Sequence, residues 1–280
     1  MKITNKHNLP GPLVNAIKGF DKAYQKTRGE TRLSVTQLIN PPLVRKLKEE
    51  HFDEIEEDAS DRIWSLFGSA VHSVLEKAGG MNDLTEERLF TEVNGIKVSG
   101  QGDLYEANGT LSDYKITSVW AVIRGHKKEW EQQLNLLAYL YAEAGFPPQK
   151  LQIVAILRDW SKNKAIADAN YPQCNVKVID IPLWNKEGQE EYLNKRVKEH
   201  QSEELVECTD AEKWHKQDVY AIMREGRKSA IKLCDTKAQA EERKFQEVGK
   251  GKGKVSIVLR PGKDIRCDDY CPVRKWCPFK

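Results

Sequence analysis

Residues 88–117 have the sequence RLFTEVNGIKVSGQGDLYEANGTLSDYKIT, and this stretch decides the fold that the sequence predicts. Apolar and polar residues alternate within it, and a period of two is typical of strands that are buried on one face. Asn-Gly pairs at 94–95 and 108–109 separate the alternating runs, and such a pair is a strong signal of a hairpin turn. The predicted strands cover residues 88–93, 96–106 and 110–117.

Helices are predicted on both sides of this hairpin region. Apolar residues in 62–77 recur with the helical period, and a second helix is expected over 127–144. The continuous apolar run 151–157 is typical of a strand buried on both faces, and a further strand is expected at 176–183. This order predicts an α/β fold in which helices flank a central mixed β-sheet.

The rest of the chain is predicted to be helical and basic, and it ends in a Cys-rich tail. The expected elements are charged helices at 186–205 and 210–245 and a short strand at 255–259. A length of 280 residues suits one large domain or two small ones. We expect a single domain over residues 1–280, with a core at about 60–183 and a helical, basic C-terminal part at about 186–280.

Composition excludes several classes of protein. Hydrophobic residues make up 39% of the chain and aromatic residues 8%, which is enough for a packed core and excludes global disorder. No apolar run approaches the roughly 18 residues that a membrane span needs, and the first residues lack the apolar region of a secretory signal. Six cysteines are too few for a disulfide scaffold. We therefore expect a cytoplasmic protein with no membrane partner.

The net charge of +3 hides an asymmetry along the chain. Residues 224–280 contain 16 Lys and Arg against 8 Asp and Glu, so they carry +8 and the rest of the chain carries −5. A basic segment on a mildly acidic body favours a local site for a polyanion. Lys250, Lys252 and Lys254, on a flexible Gly-Lys repeat, are the candidate nucleic-acid contacts. The alternative is a solvated lysine-rich surface.

Two carboxylates and a lysine fall on neighbouring predicted strands. Asp113 and Lys115 are two residues apart and share one face of a strand, and the Asn-Gly turn brings Asp103 of the preceding strand beside them. Paired carboxylates repel each other unless a cation neutralises them, and hard oxygen ligands favour Mg²⁺ or Mn²⁺. A lysine beside such a cation orients a water or a phosphate oxygen. The alternative is a solvated hairpin in which these residues only build the turn.

Two predicted helices carry further candidates. His72 and Glu76 share a helix face, and small residues at 68–70 permit a close approach of a strand or a ligand. Gln133, on the helix after the strands, donates and accepts hydrogen bonds at once and suits the task of holding a site lysine. The alternatives are a histidine satisfied within the structure and an ordinary surface glutamine.

Three cysteines lie within eleven residues at the C-terminus, namely Cys267, Cys271 and Cys277. In an intracellular chain this spacing favours a metal centre over disulfides, either an iron–sulfur cluster or Zn²⁺. Both centres take four ligands, so the fourth comes from elsewhere in the chain. Cys208 is our choice over Cys174 and Cys234, because it precedes a predicted helix N-terminus, where a thiolate is favoured. The alternative is a set of free structural thiols.

In this order the motifs resemble those of the RecB-family nucleases of the PD-(D/E)XK superfamily. The resemblance covers about a third of the chain, residues 66–139 and the separate Cys tail, which is similar to part of the iron–sulfur staple of AddB-type and CRISPR-adaptation nucleases. The matching residues are GSAVH at 68–72 with Glu76, G-x-G-D ending at Asp103, DYK at 113–115, Gln133-Leu134 and the cysteines at 267–277.

The resemblance implies a restriction-endonuclease-like core and a role for each matching residue. His72, Asp103 and Asp113 would bind Mg²⁺ or Mn²⁺, together with the carbonyl of Tyr114. Lys115 would orient the attacking water, and Gln133 takes the place of the family glutamine. The cysteine centre would be a [4Fe-4S] cluster, with Zn²⁺ as the alternative.

The function implied is that of a metal-dependent DNA nuclease, an exonuclease of the phage type that acts in recombination, repair or phage DNA processing in a bacterial cytoplasm. Its partners would be DNA and a recombination or single-strand-annealing protein. The alternative function is a non-catalytic DNA-binding or recombination scaffold with a metal-stapled basic tail.

The chain departs from the family pattern at two places. Leu137 stands where the family has a tyrosine four residues after the glutamine. The region before the His72 helix reads Asn40-Pro-Pro and lacks the first cluster cysteine. The second departure leaves the fourth ligand of the cysteine centre open.

Overall fold

The computed structural model describes residues 1–27, 32–123 and 125–280, with the backbone alone described for 20–27. The helices are α1 (Gly11–Thr27), α2 (Val35–Leu38), α3 (Pro42–Glu50), α4 (Ile63–Leu75), α5 (Trp120–Ile123), α6 (Lys128–Glu143), α7 (Lys162–Ala167), α8 (Lys186–Gln201), α9 (Asp210–Lys213) and α10 (Lys237–Glu247). The strands are β1 (Lys2–Thr4), β2 (Leu33–Ser34), β3 (Glu56–Asp58), β4 (Leu84–Thr85), β5 (Arg88–Val93), β6 (Ile96–Gln101), β7 (Leu104–Tyr105), β8 (Thr110–Thr117), β9 (Lys150–Leu157), β10 (Val176–Ile181), β11 (His215–Lys216), β12 (Val219–Arg224), β13 (Lys232–Cys234), β14 (Val255–Arg260) and β15 (Lys263–Asp264).

The chain divides into two compact units. The first unit contains residues 1–45 and 51–205, and the second contains residues 46–50 and 206–280. The assignment of the whole chain to a single domain stays a prediction.

The first unit is built on two mixed sheets. One sheet has the strand order β10-β9-β8-β7-β4, in which β8 and β9 are parallel and the other neighbours are antiparallel. The other sheet has the order β2-β6-β5, with β2 parallel and β5 antiparallel to β6. Helix α6 contacts strands of both sheets, and it contributes Leu134, Leu137 and Leu140 to the core. The predicted α/β class with mixed, helix-flanked sheets is confirmed.

The first hairpin forms as its sequence predicts. Val93 pairs with Ile96 at its end. The two turn residues have positive φ, 51° at Asn94 and 73° at Gly95. A two-residue type I′ turn requires positive φ at both central positions, and asparagine and glycine adopt it at the lowest cost. The Asn-Gly pair therefore sets the register of β5 against β6.

The middle predicted strand, 96–106, is interrupted, and its two halves lie in different sheets as β6 and β7. The interruption falls at Gly102 and Asp103, where helix α6 comes close to the chain. A Cβ atom at Gly102 would lie 2.7 Å from the Tyr141 hydroxyl, and one at Gly100 would lie 2.6 Å from a Leu137 methyl carbon. The two glycines thus permit the close packing of α6 that places Asp103 at the strand break.

The strand predicted at 151–157 is β9, between β8 and β10. One of its faces is fully buried and the other only partly, so burial on both faces is less complete than the apolar run suggests. In the parts of the chain that the structure describes, no helix combines the length and the apolar character of a membrane span.

The second unit corrects the prediction of a long helix at 210–245 and of a mainly helical part at 186–280. Helix α8 is predicted correctly. After it the chain forms an antiparallel sheet with the order β13-β12-β14, and helix α10 packs against that sheet. Charge density in this region favours a solvated helix, but Val219 and Ile222 suit a pleated, half-buried surface. Their pairing partner β14 lies far along the chain, so local sequence does not reveal it.

Candidate active site

A cavity of about 980 Å³ lies in the first unit. Its walls come from α4, from the segment that joins β4 to β5, and from β6, β8 and α6. Five residues selected from the sequence line it together, although they are spread over 62 positions of the chain. They are His72, Asp103, Asp113, Lys115 and Gln133.

His72 projects from α4 towards two carboxylates. Its Nδ1 lies 3.0 Å from Oε1 of Glu86 and 3.4 Å from Oδ1 of Asp103. Hydrogen bonds to Asp103 and Glu86 raise the pKa of His72 to about 10, against the opposing effect of burial. The ring of Tyr114 meets the imidazole edge to face, with centroids 6.1 Å apart. The environment of His72 therefore favours a positive charge, either a proton or a metal ion.

Asp103 is fixed by its backbone surroundings at the strand break. It is 9% exposed, and its Oδ2 accepts a hydrogen bond of 2.6 Å from the backbone N–H of Tyr114 on β8. This bond leaves Oδ1 directed at His72. The hairpin thus brings Asp103 beside β8, as the sequence predicts.

Glu86 is the acidic residue of this group that the sequence did not reveal. It lies between β4 and β5 with a φ of 51°, a left-handed conformation that is strained for a residue with a side chain. Its Oε2 accepts a hydrogen bond of 2.6 Å from Nε2 of Gln101, which in turn accepts a bond from Arg88. Its backbone N–H donates to the carbonyl of Asp103 at 3.1 Å. These bonds hold the carboxylate towards His72.

Sequence reasoning selected Glu76 instead of Glu86. Glu76 follows His72 by one helical turn, but it ends up exposed on the cavity wall, outside the carboxylate group around the imidazole. Glu86 lies in an irregular connection without periodicity, and the only available signal was an acidic pair directly before a predicted strand.

His72, Glu86 and Asp103 form a compact set of ligand atoms. One ligand atom from each lies within 4.8 Å of the other two. Carboxylate oxygens suit hard cations such as Mg²⁺ and Mn²⁺, whereas an imidazole nitrogen also suits Zn²⁺ and other transition metals. The set is therefore chemically able to hold a divalent cation.

A second group of side chains lies beside this triad and forms a closed triangle. Lys115 Nζ lies 2.6 Å from Oδ2 of Asp113 and donates to Oε1 of Gln133 at 3.1 Å. Gln133 Nε2 completes the triangle with a bond of 3.1 Å to Oδ1 of Asp113. The predicted role of the glutamine in holding the site lysine agrees with this geometry.

Asp113 is 2% exposed, and burial raises its pKa to about 6, while the positive charge of Lys115 opposes this shift. The negative charge of Asp103 adds to the rise, so the two carboxylates act on each other. Oδ2 of Asp113 pairs with Lys115 by charge but receives no well-oriented hydrogen bond, which leaves it a lone pair for a cation. The assignments of Asp113 and of the Tyr114 carbonyl as metal ligands stay predictions.

The six cysteines are free thiols, and four of them belong to the second unit's candidate centre. Burial raises the pKa of Cys208 to about 12, and the negative charges of Glu212, Cys267 and Cys277 add to the rise. These surroundings do not favour a thiolate at Cys208 in the metal-free chain, and its assignment as the fourth ligand stays a prediction. Helix α9 has only four residues, its N-terminus is capped by Thr209, and its first turn is acidic.

The remaining cysteines are arranged differently. Burial is the largest cause that raises the pKa of Cys267. Cys271, Asp264 and Cys277 raise this pKa further by their negative charge. Cys174 is exposed in the first unit, and Cys234 is buried in the small core under β12. Among the described residues, the set of three possible ligand atoms within 4.8 Å is His72–Glu86–Asp103, so the cysteines do not form so compact a set.

The basic Gly-Lys repeat connects α10 to β14. Arg224 holds it in place by donating to the carbonyls of Gly251 at 3.1 Å and of Glu247 at 3.0 Å. Lys250 lies 3.3 Å from the buried carboxylate of Glu247, while Lys252 and Lys254 are exposed. Contact of the three lysines with nucleic acid stays a prediction.

Comparisons with known proteins give little further guidance. No family model matches the chain, and no curated protein matches it. Among solved structures, the chain is similar to the crystal structure of SSO0001, with a TM-score of 0.42 and 16% sequence identity. The alignment covers 66% of this chain and 83% of that one. A likeness at this level assigns neither a family nor a function.

Proposed function

We propose that this chain is a Mg²⁺- or Mn²⁺-dependent DNA nuclease with a restriction-endonuclease-like core of the RecB type. One observation carries the proposal: the His72–Glu86–Asp103 triad and the Asp113–Lys115–Gln133 triangle line the same open cavity. A cation site beside a buried carboxylate and a lysine is the equipment for phosphodiester hydrolysis.

The residues present fit a divalent cation. Two carboxylates directed at one imidazole carry more negative charge than the imidazole alone balances, and Asp113 adds a buried carboxylate whose Oδ2 contacts only Lys115. Gln101 and the backbone of Tyr114 orient Glu86 and Asp103 from behind, as outer partners of metal ligands do. A bound cation would supply Lewis-acid chemistry and neutralise charge on the phosphate.

The chain's own residues would handle the water and the substrate. Lys115 would hold the attacking water in line with the phosphorus, because Gln133 and Asp113 fix its ammonium group at the cavity wall. The contact of 2.6 Å between Lys115 Nζ and the Asp113 carboxylate would keep the lysine directed at the same point of the cavity. The cavity opening would admit the DNA backbone.

The wider proposal concerns DNA as the partner and exonuclease action in recombination, repair or phage DNA processing, with a recombination or single-strand-annealing protein as a second partner. The excess of positive charge at 224–280 supports a polyanionic partner. The second unit would then hold the DNA backbone through Lys250, Lys252 and Lys254.

The cysteines of the second unit form the other part of the proposal. Cys208, Cys267, Cys271 and Cys277 would bind a [4Fe-4S] cluster, with Zn²⁺ as the alternative. The mutual influence of these thiols on their pKa values supports a shared neighbourhood. Anaerobic purification should yield protein with iron and acid-labile sulfide, whereas stoichiometric zinc would support the alternative. A chain that carries neither, and whose melting temperature is unchanged by Cys271→Ala, would rule out a metal centre.

The decisive experiment is cleavage of labelled duplex and single-stranded DNA by the full chain, with Mg²⁺, with Mn²⁺ and with EDTA. Cleavage should require the metal and should fall by about 100-fold or more in Asp113→Asn, because the charge that balances the cation is lost. Asp180→Asn is the matched control, since Asp180 is an exposed aspartate on β10 of the same sheet. DNA binding without metal-dependent cleavage would favour the non-catalytic scaffold.

A further inference from the structure

We propose that Trp64, Phe67 and Arg158 form a stacking platform for the unpaired bases of single-stranded DNA whose backbone enters the neighbouring cavity. This inference rests on the proposed nuclease function and adds a substrate class to it, DNA with an unpaired segment at the site.

The platform lies on a helix that exposes an unusual amount of apolar surface. All thirteen residues of α4 are described, most of them are apolar, and none of them is fully buried. Trp64 is 52% exposed and Phe67 is 46% exposed. Contiguous apolar surface of this kind on a folded protein marks an interaction site.

The exposed rings are held in a fixed arrangement. Trp64 and Phe67 meet edge to face, with centroids 6.3 Å apart. The guanidinium carbon of Arg158 lies 4.2 Å from the centroid of the Trp64 ring. The backbone N–H of Arg158 donates to the carbonyl of Thr117 at 3.0 Å, which anchors the arginine at the carboxyl ends of β8 and β9. The indole is therefore packed against a second ring and a guanidinium group, which places a positive charge beside it.

The platform borders the cavity that contains the candidate catalytic residues. Gly68 lines the cavity, and Trp64 precedes it by one helical turn on the same side of α4. Ser65 and Ser69 line the wall between the platform and His72; the Ser69 hydroxyl donates to the Ser65 carbonyl at 3.1 Å, and the hydroxyl of Ser65 is chemically able to donate to a phosphate oxygen. Eight residues of helix separate Trp64 from His72, about 12 Å, which is roughly three to four nucleotides at 3.4 Å each.

This combination of groups selects single-stranded nucleic acid as the occupant. Aromatic faces bind unpaired bases of any sequence, whereas the bases of a duplex are already stacked on one another. Arg158 complements the negative charge of a strand, and it extends the stacking surface as a cation above the indole.

The test measures binding of fluorescein-labelled oligothymidylate and of a blunt duplex to the full chain by anisotropy, in EDTA so that no cleavage occurs. Trp64→Ala should weaken oligothymidylate binding by about 10- to 100-fold, and Trp64→Phe should stay within about threefold of the wild-type chain. Arg158→Gln should reduce the slope of the logarithm of the binding constant against the logarithm of salt concentration by about one, the value for one lost phosphate contact. Duplex binding should change little in all three variants.

Phe146→Ala is the matched control, since Phe146 is a 39% exposed aromatic residue beyond the opposite end of β9. Wild-type affinity of the Trp64→Ala chain for oligothymidylate would overturn the platform. Self-association of the wild-type chain through this face would also overturn the platform. It would be shown if Trp64→Ala dissociated the oligomer without changing the affinity for oligothymidylate. If the chain cleaves DNA in the presence of metal but binds oligothymidylate equally well without Trp64, only the platform is rejected. If binding depends on Trp64 but the chain cuts no DNA, only the nuclease function is rejected.

Discussion

Two histidines of the first unit lie on helices of opposite composition, the apolar α4 and the highly charged α8, and they also experience opposite electrostatic surroundings. His72 on α4 faces the carboxylates of Glu86 and Asp103, and its pKa is raised to about 10. His200 on α8 is 2% exposed, and burial together with the guanidinium groups of Arg196 and Arg45 lowers its pKa to about 4. Burial and the sign of the neighbouring charges decide whether a histidine attracts a cation or remains neutral.

The His200 region is satisfied without any ligand. Arg45 Nε donates to Nδ1 of His200 at 3.0 Å, so Nε2 carries the proton and donates to the carbonyl of Asn40 at 3.1 Å. Arg196 donates to the same carbonyl at 2.6 Å and to that of Leu38 at 2.7 Å. Every polar atom of this imidazole has a protein partner, which makes it a structural connection between α8 and the segment after α2.

The His72 region, in contrast to the His200 region, has an excess of negative charge. Its carboxylates exceed its imidazole in number, and it opens onto a cavity, so it has both the charge and the access that a cation needs. A buried histidine is thus informative about function only when the sign of its neighbours' charge is known. Removing charge from each region in turn tests this distinction.

The largest expected effect comes from removing a carboxylate beside His72. Asp103→Asn keeps the size of the side chain and an acceptor for the N–H of Tyr114, but it removes one negative charge from the proposed cation site. We expect DNA cleavage in Mg²⁺ to fall by about 100-fold or more. Arg45→Gln removes a charge from the His200 region instead, and it should lower the melting temperature while cleavage stays within about threefold. Equal cleavage losses in the two variants would contradict the functional distinction between the regions.

A smaller effect is expected from the residue that only the structure reveals. Glu86→Gln should reduce Mn²⁺ affinity by about 10- to 100-fold, because a neutral amide replaces an anionic ligand. Calorimetric titration of the full chain with Mn²⁺ alone measures this without any substrate. Glu76→Gln serves as the control, since Glu76 lines the same cavity outside the triad. A larger loss in Glu76→Gln than in Glu86→Gln would remove Glu86 from the metal site.

Sequence patterns predict the parts of this site that regular elements carry. Asp113 and Lys115 share a strand face by the period of two, and the hairpin delivers Asp103 to their side. The position of Gln133 on a helix is predicted from sequence. Its bonds to Asp113 and Lys115, however, depend on helix packing that Gly100 and Gly102 permit. These placements needed only local periodicity and turn chemistry.

The parts that sequence does not reveal depend on irregular backbone or on distant pairing. Glu86 itself adopts a left-handed backbone conformation in the short connection between β4 and β5, and no periodicity in the sequence marks such a position. The charge-rich sequence around β12 predicts a helix, because the partner strand β14 that makes it a strand lies beyond α10. Arg45, which donates to His200, lies 155 residues away in the chain, whereas Arg196 precedes His200 by one turn of α8. Local sequence does not reveal Glu86, the pairing of β12 with β14 or the contact of Arg45 with His200.

The smallest expected effect is a pH dependence of stability that His200 contributes. Its pKa is about 4 in the folded protein and near 6.5 in the unfolded chain, so between these values the unfolded chain binds more protons. Stability must therefore fall as the pH is lowered through this window, by about 1 kcal/mol between pH 7 and pH 5.5. Urea unfolding of the wild-type chain and of His200→Gln at both pH values measures this contribution, because glutamine keeps a donor and an acceptor but does not titrate. The wild-type chain should lose about 1 kcal/mol more than the variant; an equal loss would mean that the guanidinium groups of Arg45 and Arg196 do not keep His200 neutral.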